Sequence, residues 1–261
     1  MQAFAYQNPA SVAAAVGAAS GDVKFLAGGQ SLLAAMKQGL AAPEGLVDLG
    51  AITELKGITV AGGTVTIGAM TTHATVAASA EVRAAIPALA DLASQIGDRQ
   101  VRNRGTIGGS LANNDPAACY PAAVLGLGAT IKTDRRSIAA DDFFQGLYTT
   151  ALEENEVIVS VSFPVPAKAA WQKFKQPASR FSIVGVFVSQ GPQGTRVAVT
   201  GAGAGVFRAT GVEQALSGSW SAGAAQAVKV SADGLSSDLH GSAEYRAALI
   251  PVLAGRAVAA S

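Results

Sequence analysis

Two glycine doublets carry the clearest chemistry in this sequence. The first is Ala27-Gly28-Gly29-Gln30-Ser31 and the second is Thr106-Ile107-Gly108-Gly109-Ser110. Adjacent glycines open backbone conformations closed to other residues and let a ligand approach the main chain. Successive backbone N–H groups can then converge on an anion. Ser31 and Ser110 each add a hydroxyl. One doublet alone is explained as well by a tight turn. Two with the same small-Gly-Gly-polar pattern point to the phosphates of a dinucleotide, gripped from two sides. A third run, Gly201-Ala202-Gly203-Ala204-Gly205, comes after a predicted strand. The last glycine of a dinucleotide fingerprint would fall there on Val206. No acidic residue stands about 20 positions further on to hold a ribose. This run reads as a flexible strand-to-helix connection.

Other reactive residue types are scarce. The single cysteine, Cys119, excludes an internal disulfide, an iron–sulfur cluster held by this chain alone and a cysteine-rich zinc site. The two histidines, His73 and His240, have no ligand spacing between them. His73 reads as a structural residue at a helix N-terminus and Cys119 as a small buried hydrophobe. His73 and Asp98 are candidate general bases without convincing partners. Arg102-Asn103-Arg104 reads as a solvated loop, with a partner-docking surface as the alternative. Lys175, isolated at a strand end, reads as a solvated charge. Chemistry must therefore come from something bound or from a partner. With 19 basic against 18 acidic side chains, there is no electrostatic footprint for nucleic acid. Charged residues make up only 14% of the 261 positions, against roughly 25% in an ordinary soluble domain. Either subunits cover the excess apolar surface, or its alanines raise hydropathy without making sticky patches.

The elements that must hold these residues read as three blocks. The first has strands at Phe4–Tyr6, Val23–Leu26 and Leu46–Asp48, with helices over 11–19 and 31–37. The second opens with a hairpin, Ile58–Val60 and Val65–Ile67, turned at Gly62-Gly63. Thr72 then caps a helix running to Ala78. A helix over 86–96, a glycine-rich stretch over 101–109, a short helix over 120–125 and strands over 129–132 and 157–163 complete it. Strands over 171–175, 183–189 and 196–200, then two or three helices ending with 245–258, make the third block α+β. No uncharged stretch is an uninterrupted run of the roughly 20 apolar residues that a membrane span needs. The first 21 residues have no basic region ahead of an apolar core, so a cytoplasmic chain is expected.

The residues also carry a resemblance. AGGQSLL at 27–33 and GDRQVRNRGTIGGSLANNDPAA at 97–118 resemble the FAD-binding medium subunit of the molybdenum hydroxylases, the family of xanthine dehydrogenase and aerobic carbon monoxide dehydrogenase. GAMTTHA at 68–74, FKQPASRFSIVGV at 174–186 and AEYRAALIPVLAGRA at 243–257 extend it over nearly the whole chain. The resemblance implies an α+β / α/β chain with a two-subdomain PCMH-type, vanillyl-alcohol-oxidase-like FAD-binding fold. A C-terminal α+β domain of the carbon monoxide dehydrogenase flavoprotein type completes the chain. The expected units are 1–55, 56–166 and 167–261.

Implied FAD contacts are Leu26, Ala27, Gly28, Gly29, Gln30 and Ser31 on one side and Thr106, Ile107, Gly108, Gly109 and Ser110 on the other. Three more positions are implied near the flavin. Ile158 falls where an apolar residue packs near the ring, Lys175 where a basic residue lies near it, and Cys119 where the family more often carries Asp. Either Asn114 or Asp115 would compensate for that last departure, or the flavin is bound differently there. Gln30 stands where His is common. A cation near the ring would raise the flavin potential. The implied role is electron transfer. Electrons come from [2Fe-2S] clusters on a small subunit, after substrate oxidation on a large molybdopterin subunit, and pass through FAD to an external acceptor. A dimer of heterotrimers is the implied assembly. The alternatives are a self-contained FAD-dependent oxidoreductase of the same fold superfamily and a non-redox nucleotide-binding module.

Overall fold

A computed structural model describes residues 2–261. Three main sheets each draw on one stretch of the chain, and a small hairpin is added. The first stretch contains β1 (Ala5–Gln7), α1 (Val12–Ala18), β2 (Val23–Leu26), α2 (Leu32–Lys37) and β3 (Gly45–Asp48). Its strands are parallel, in the order β1-β3-β2. Ser11 starts α1 by accepting the Ala14 N–H at 3.2 Å, which satisfies a donor the helix cannot. Val47 packs with Ala15, Leu49 and Ile52, while Leu46 packs with Leu26 and Met36. Neighbours on a strand point to opposite faces, so β3 is buried on both.

The second stretch holds the hairpin β4 (Ile58–Ala61) and β5 (Thr64–Gly68), then α3 (His73–Ala78), α4 (Ala80–Ala85), α5 (Pro87–Ser94), α6 (Arg99–Arg104), α7 (Ile107–Asn113) and α8 (Tyr120–Gly126). After these come β6 (Thr130–Thr133), β7 (Ser137–Ala139), α9 (Ala140–Phe143), β8 (Phe144–Gly146), β9 (Thr149–Thr150) and β10 (Ile158–Pro164). The antiparallel sheet runs β4-β5-β10-β6-β7. Ile67, Leu89, Leu92, Ile107, Tyr120 and Val161 share its core with the helices.

The expected glycine-rich stretch over 101–109 is instead mostly helical. Asp98 caps α6 by accepting the Val101 N–H at 2.8 Å, and Thr106 caps α7 by accepting the Gly109 N–H at 3.1 Å. α6 itself contains no glycine, and in α7 the Thr106 cap offsets the poor helix propensity of Gly108 and Gly109. Arg102-Asn103-Arg104 therefore lies on α6 and not in a loop. Arg102 is half-buried and donates back to the Ile96 and Gly97 carbonyls at 3.0 and 3.1 Å.

In the third stretch β11 (Lys168–Lys175), β12 (Ser182–Gly191), β13 (Gly194–Thr200) and β14 (Phe207–Arg208) form an antiparallel sheet in chain order. Helices α10 (Thr210–Gly218), α11 (Ala222–Gln226) and α12 (Ala243–Ala259) come last. Val184, Val186 and Val188 of β12 pack with residues of these helices, while Phe187 joins the core of the second stretch. The sheet is thus sandwiched, which is why β12 reads as a continuous apolar run. Arg196 locks it down, donating to the Leu125 carbonyl at 2.9 Å and pairing with Asp141 at 2.6 Å.

The run 201–205 corrects its reading as a flexible strand-to-helix connection. It links β13 to β14, and it is pinned. The Gly201 N–H donates to the Pro116 carbonyl at 2.7 Å, and the Gly201 carbonyl accepts from Arg246 at 2.8 Å.

Candidate functional site

The two glycine doublets meet. Gly28 is buried against the α6–α7 junction, where a Cβ would overlap the Arg104 carbonyl oxygen and the Gly105 Cα. Only glycine permits this approach of backbone to backbone. A Cβ on Gly109 would lie 3.1 Å from the Ala27 Cβ. The junction opens into a cleft of about 280 Å³.

The doublets face that cleft differently. Gly29 has φ +72°, and Gln30 clips the loop by donating from Nε2 to the Gly28 carbonyl at 3.0 Å. Among the described residues no acceptor meets the N–H groups of Gly29, Gln30, Ser31 or Leu32. This loop is a concave set of free donors suited to phosphate. The second doublet keeps its donors for itself. Ile107 N–H donates to the Thr71 carbonyl at 3.2 Å and Gly108 N–H to the Ala69 carbonyl at 2.8 Å. Gly109 N–H goes to Thr106 Oγ1. Gly109 therefore offers a bare surface, and Ser110 offers its hydroxyl beside it.

Of the residues expected in the site, Ala27, Gly28, Gly29, Gln30, Ser31, Thr106, Gly109, Ser110 and Cys119 line the cleft. The structure does not bring the other five to its wall. Leu26 is buried at the end of β2, and Ile107 and Gly108 lie beneath the wall in the first turn of α7. Ile158 is buried in the core of the second sheet. Lys175 is exposed and off the wall; Lys173 stands there in its place. The register of β11 against β12 shifts between Phe174 and Lys175, passing over Ile183. Lys175 thus sits at the end of β11, past the point where the regular pairing with β12 is interrupted.

Lys173 is a functional candidate that the sequence reading missed. Its signal was a second lysine on the same strand, two residues from the buried Trp171. Nζ donates to the Gln95 carbonyl at 3.0 Å and to Cys119 Sγ at 3.2 Å. Cys119 is buried, with Ser182 Oγ at 3.8 Å. Asn114 does not compensate for the missing carboxylate. Its amide holds the β8–β9 hairpin through the Gly146 and Thr149 carbonyls, both at 2.8 Å. Asp115 lines the cleft.

His73 begins α3, as expected for a helix N-terminal residue, and it also lines the cleft. It is 5% exposed and its Nδ1 has no partner. Burial, reinforced by the nearby Arg102 charge, lowers its pKa to about 4. The imidazole is neutral at physiological pH. Free backbone donors, two hydroxyls, one half-buried ammonium and a bare glycine surface make a cleft that fits a phosphate-bridged dinucleotide.

Comparison with known proteins agrees. Residues 2–166 match the family described as the FAD binding domain in molybdopterin dehydrogenase. The chain is 38% identical to the carbon monoxide dehydrogenase medium chain of Hydrogenophaga pseudoflava, over 99% of this chain and 96% of that one. It is 36% identical to the nicotine 6-hydroxylase medium subunit of Paenarthrobacter nicotinovorans, over 99% and 97%. The solved structure of the Hydrogenophaga carbon monoxide dehydrogenase lacking the Mo-pyranopterin moiety superposes with a TM-score of 0.90, over 99% of this chain and 97% of that one. The chain belongs to the FAD-binding medium-subunit family of the molybdenum hydroxylases.

Proposed function

We propose that this chain binds FAD between residues 27–32 and 109–110 and serves as the electron-transfer subunit of a multi-subunit molybdenum hydroxylase. In this reading electrons arrive from [2Fe-2S] clusters on a small subunit and leave through FAD to an external acceptor. Substrate is oxidised on a large molybdopterin subunit. The assembly is a dimer of heterotrimers working in the cytoplasm, and the chain divides into units at 1–55, 56–166 and 167–261. Two relatives named as medium chain or medium subunit, matched end to end, support the subunit reading. Among the described residues no helix is long and apolar enough to cross a membrane.

The observation that carries the proposal is the contact between the two doublets at one cleft, with free N–H groups on one side. FAD, when bound, supplies the redox chemistry; the chain supplies binding and tuning. The N–H groups of residues 29–32 would hold phosphate oxygens, and the Ser31 and Ser110 hydroxyls would add donors. Gly109 leaves room for close approach. Lys173 places a positive charge on the wall, and the neutral His73 offers a polar group without adding charge.

A visible absorption spectrum of the purified chain, alone and after co-purification with its partners, tests this. The expected result is flavin bands at one FAD per chain, with partner subunits identified by mass. A chain colourless in both states would sink the proposal.

A further inference from the structure

The Lys173 ammonium is held at two points and lacks a counter-charge. Gln95 O and Cys119 Sγ take two of its three N–H donors. Among the described residues no Asp or Glu oxygen lies within 4 Å of Nζ. The carboxylate on the same wall, Asp115, accepts from Ala117 N–H at 2.8 Å and from the Tyr148 hydroxyl at 3.3 Å. Arg180, the other cation of the wall, is exposed and donates to the Gly97 carbonyl at 3.3 Å. A half-buried charge of this kind calls for compensation. Its third proton is free for whatever fills the cleft. Ile96, Ala117, Ala118 and Phe181 share that wall, an apolar lining on which a flat aromatic ring can pack.

We propose that Lys173, anchored by Cys119, is the residue that sets the potential of the bound flavin, because a thiol at position 119 leaves its charge uncompensated. This rests on the FAD reading above. A fixed cation favours the more electron-rich form of the cofactor beside it, and does so strongly away from bulk water. A carboxylate at position 119 would stand about where Sγ does and would pair with Nζ instead. The thiol thus leaves this end of the cleft one charge more positive. The role expected of Lys175 falls to Lys173, since Lys175 is off the wall.

The test is a spectroelectrochemical titration of the full chain loaded with FAD. Lys173→Met removes the charge, and Cys119→Asp neutralises it while keeping the lysine. Both should lower the midpoint potential. A hydrogen bond to a charged group justifies about a tenfold change in the ratio of affinities for reduced and oxidised FAD, about 30 mV for a two-electron couple. Lys173→Arg should restore most of the shift, and Lys175→Met should leave the potential in place. Cys119→Asp reads the same charge if Lys173→Met does not fold. Unchanged potentials in both charge variants, or a drop produced by Lys175→Met, would overturn the inference while leaving FAD binding established. A chain that binds no FAD at all would instead remove the functional reading beneath it.

Discussion

The loops at 27–31 and 106–110 share a sequence pattern and do opposite things with it. In the first, a left-handed glycine curls the chain, and four consecutive residues that line the cleft keep N–H groups without a protein acceptor. In the second, a helix begins at once. Thr106 Oγ1, the Ala69 carbonyl and the Thr71 carbonyl absorb the same kind of donor. One doublet is a donor set and the other a packing surface. A glycine doublet therefore carries no fixed role; the acceptors that surround it decide whether its backbone is available.

Substitutions can separate the two roles. The largest effect is expected at the contact itself. Gly28→Ala would drive a methyl into the Arg104 carbonyl and the Gly105 Cα, which cannot move aside as a side chain could. The expected outcome is loss of bound FAD together with a thermal destabilisation of about 1–3 kcal/mol, read by absorbance and by unfolding. Full flavin content would show that the doublets need not touch.

Next comes a crossed pair. Gly29→Ala forces a Cβ into a left-handed conformation at about 1–2 kcal/mol and disturbs the donor set. FAD affinity should fall about tenfold or more, as expected for charge-assisted hydrogen bonds lost. Gly108→Ala places a methyl 2.6 Å from the Ala69 Cβ and should lower the melting temperature more than the affinity. If Gly108→Ala weakened FAD binding as much as Gly29→Ala, the division of labour would be wrong.

A pH dependence probes the second region, which His73 joins through its N–H to the Gly105 carbonyl at 2.9 Å. Its pKa in the folded chain, about 4, lies below the unfolded value of 6.5. The native state therefore favours the neutral imidazole. The stability this contributes is fully present above about pH 6.5 and is lost as pH falls from there toward 4. His73→Phe should flatten this part of the stability profile, measured by denaturant titration at several pH values. A slope unchanged by the substitution would assign the acid loss to other groups.

The smallest effect is expected from Thr106→Ala. Losing the cap of α7 should cost about 1 kcal/mol, while FAD affinity falls less than in Gly29→Ala because the Gly109 N–H is released toward the cleft. An affinity loss larger than that of Gly29→Ala would mean that Thr106 contacts the cofactor directly.

Much of the frame is legible in the sequence because it rests on local rules. Thr72 announces its helix as a cap. Gly62-Gly63 announces the β4–β5 hairpin, and apolar runs separated by turn residues mark the strands of the third sheet. Position 119 is recognisable as unusual from the resemblance. The helices α6 and α7 are not legible, because glycines at 105, 108 and 109 argue locally against helix and only the capping geometry reverses that. The resemblance points to Lys175; strand alternation treats Lys173 and Lys175 alike, and which of them reaches the cleft depends on pairing with β12 and on contacts with Gln95 and Cys119 that no local pattern records.

The sequence by itself settled the two doublets, the order of the elements, the absence of a cysteine-built metal site and the family resemblance. These depend on residue type, spacing and local propensity. Only the tertiary structure decided which backbone donors remain free, which lysine reaches the wall and which residue opposes it. Those are matters of partnership between segments far apart in the chain, from Ala69 to Gly108 and from Gln95 to Lys173. A hydrogen bond or an ion pair belongs to two groups at once. Its presence depends on where folding brings the second group, and no local pattern around the first records that.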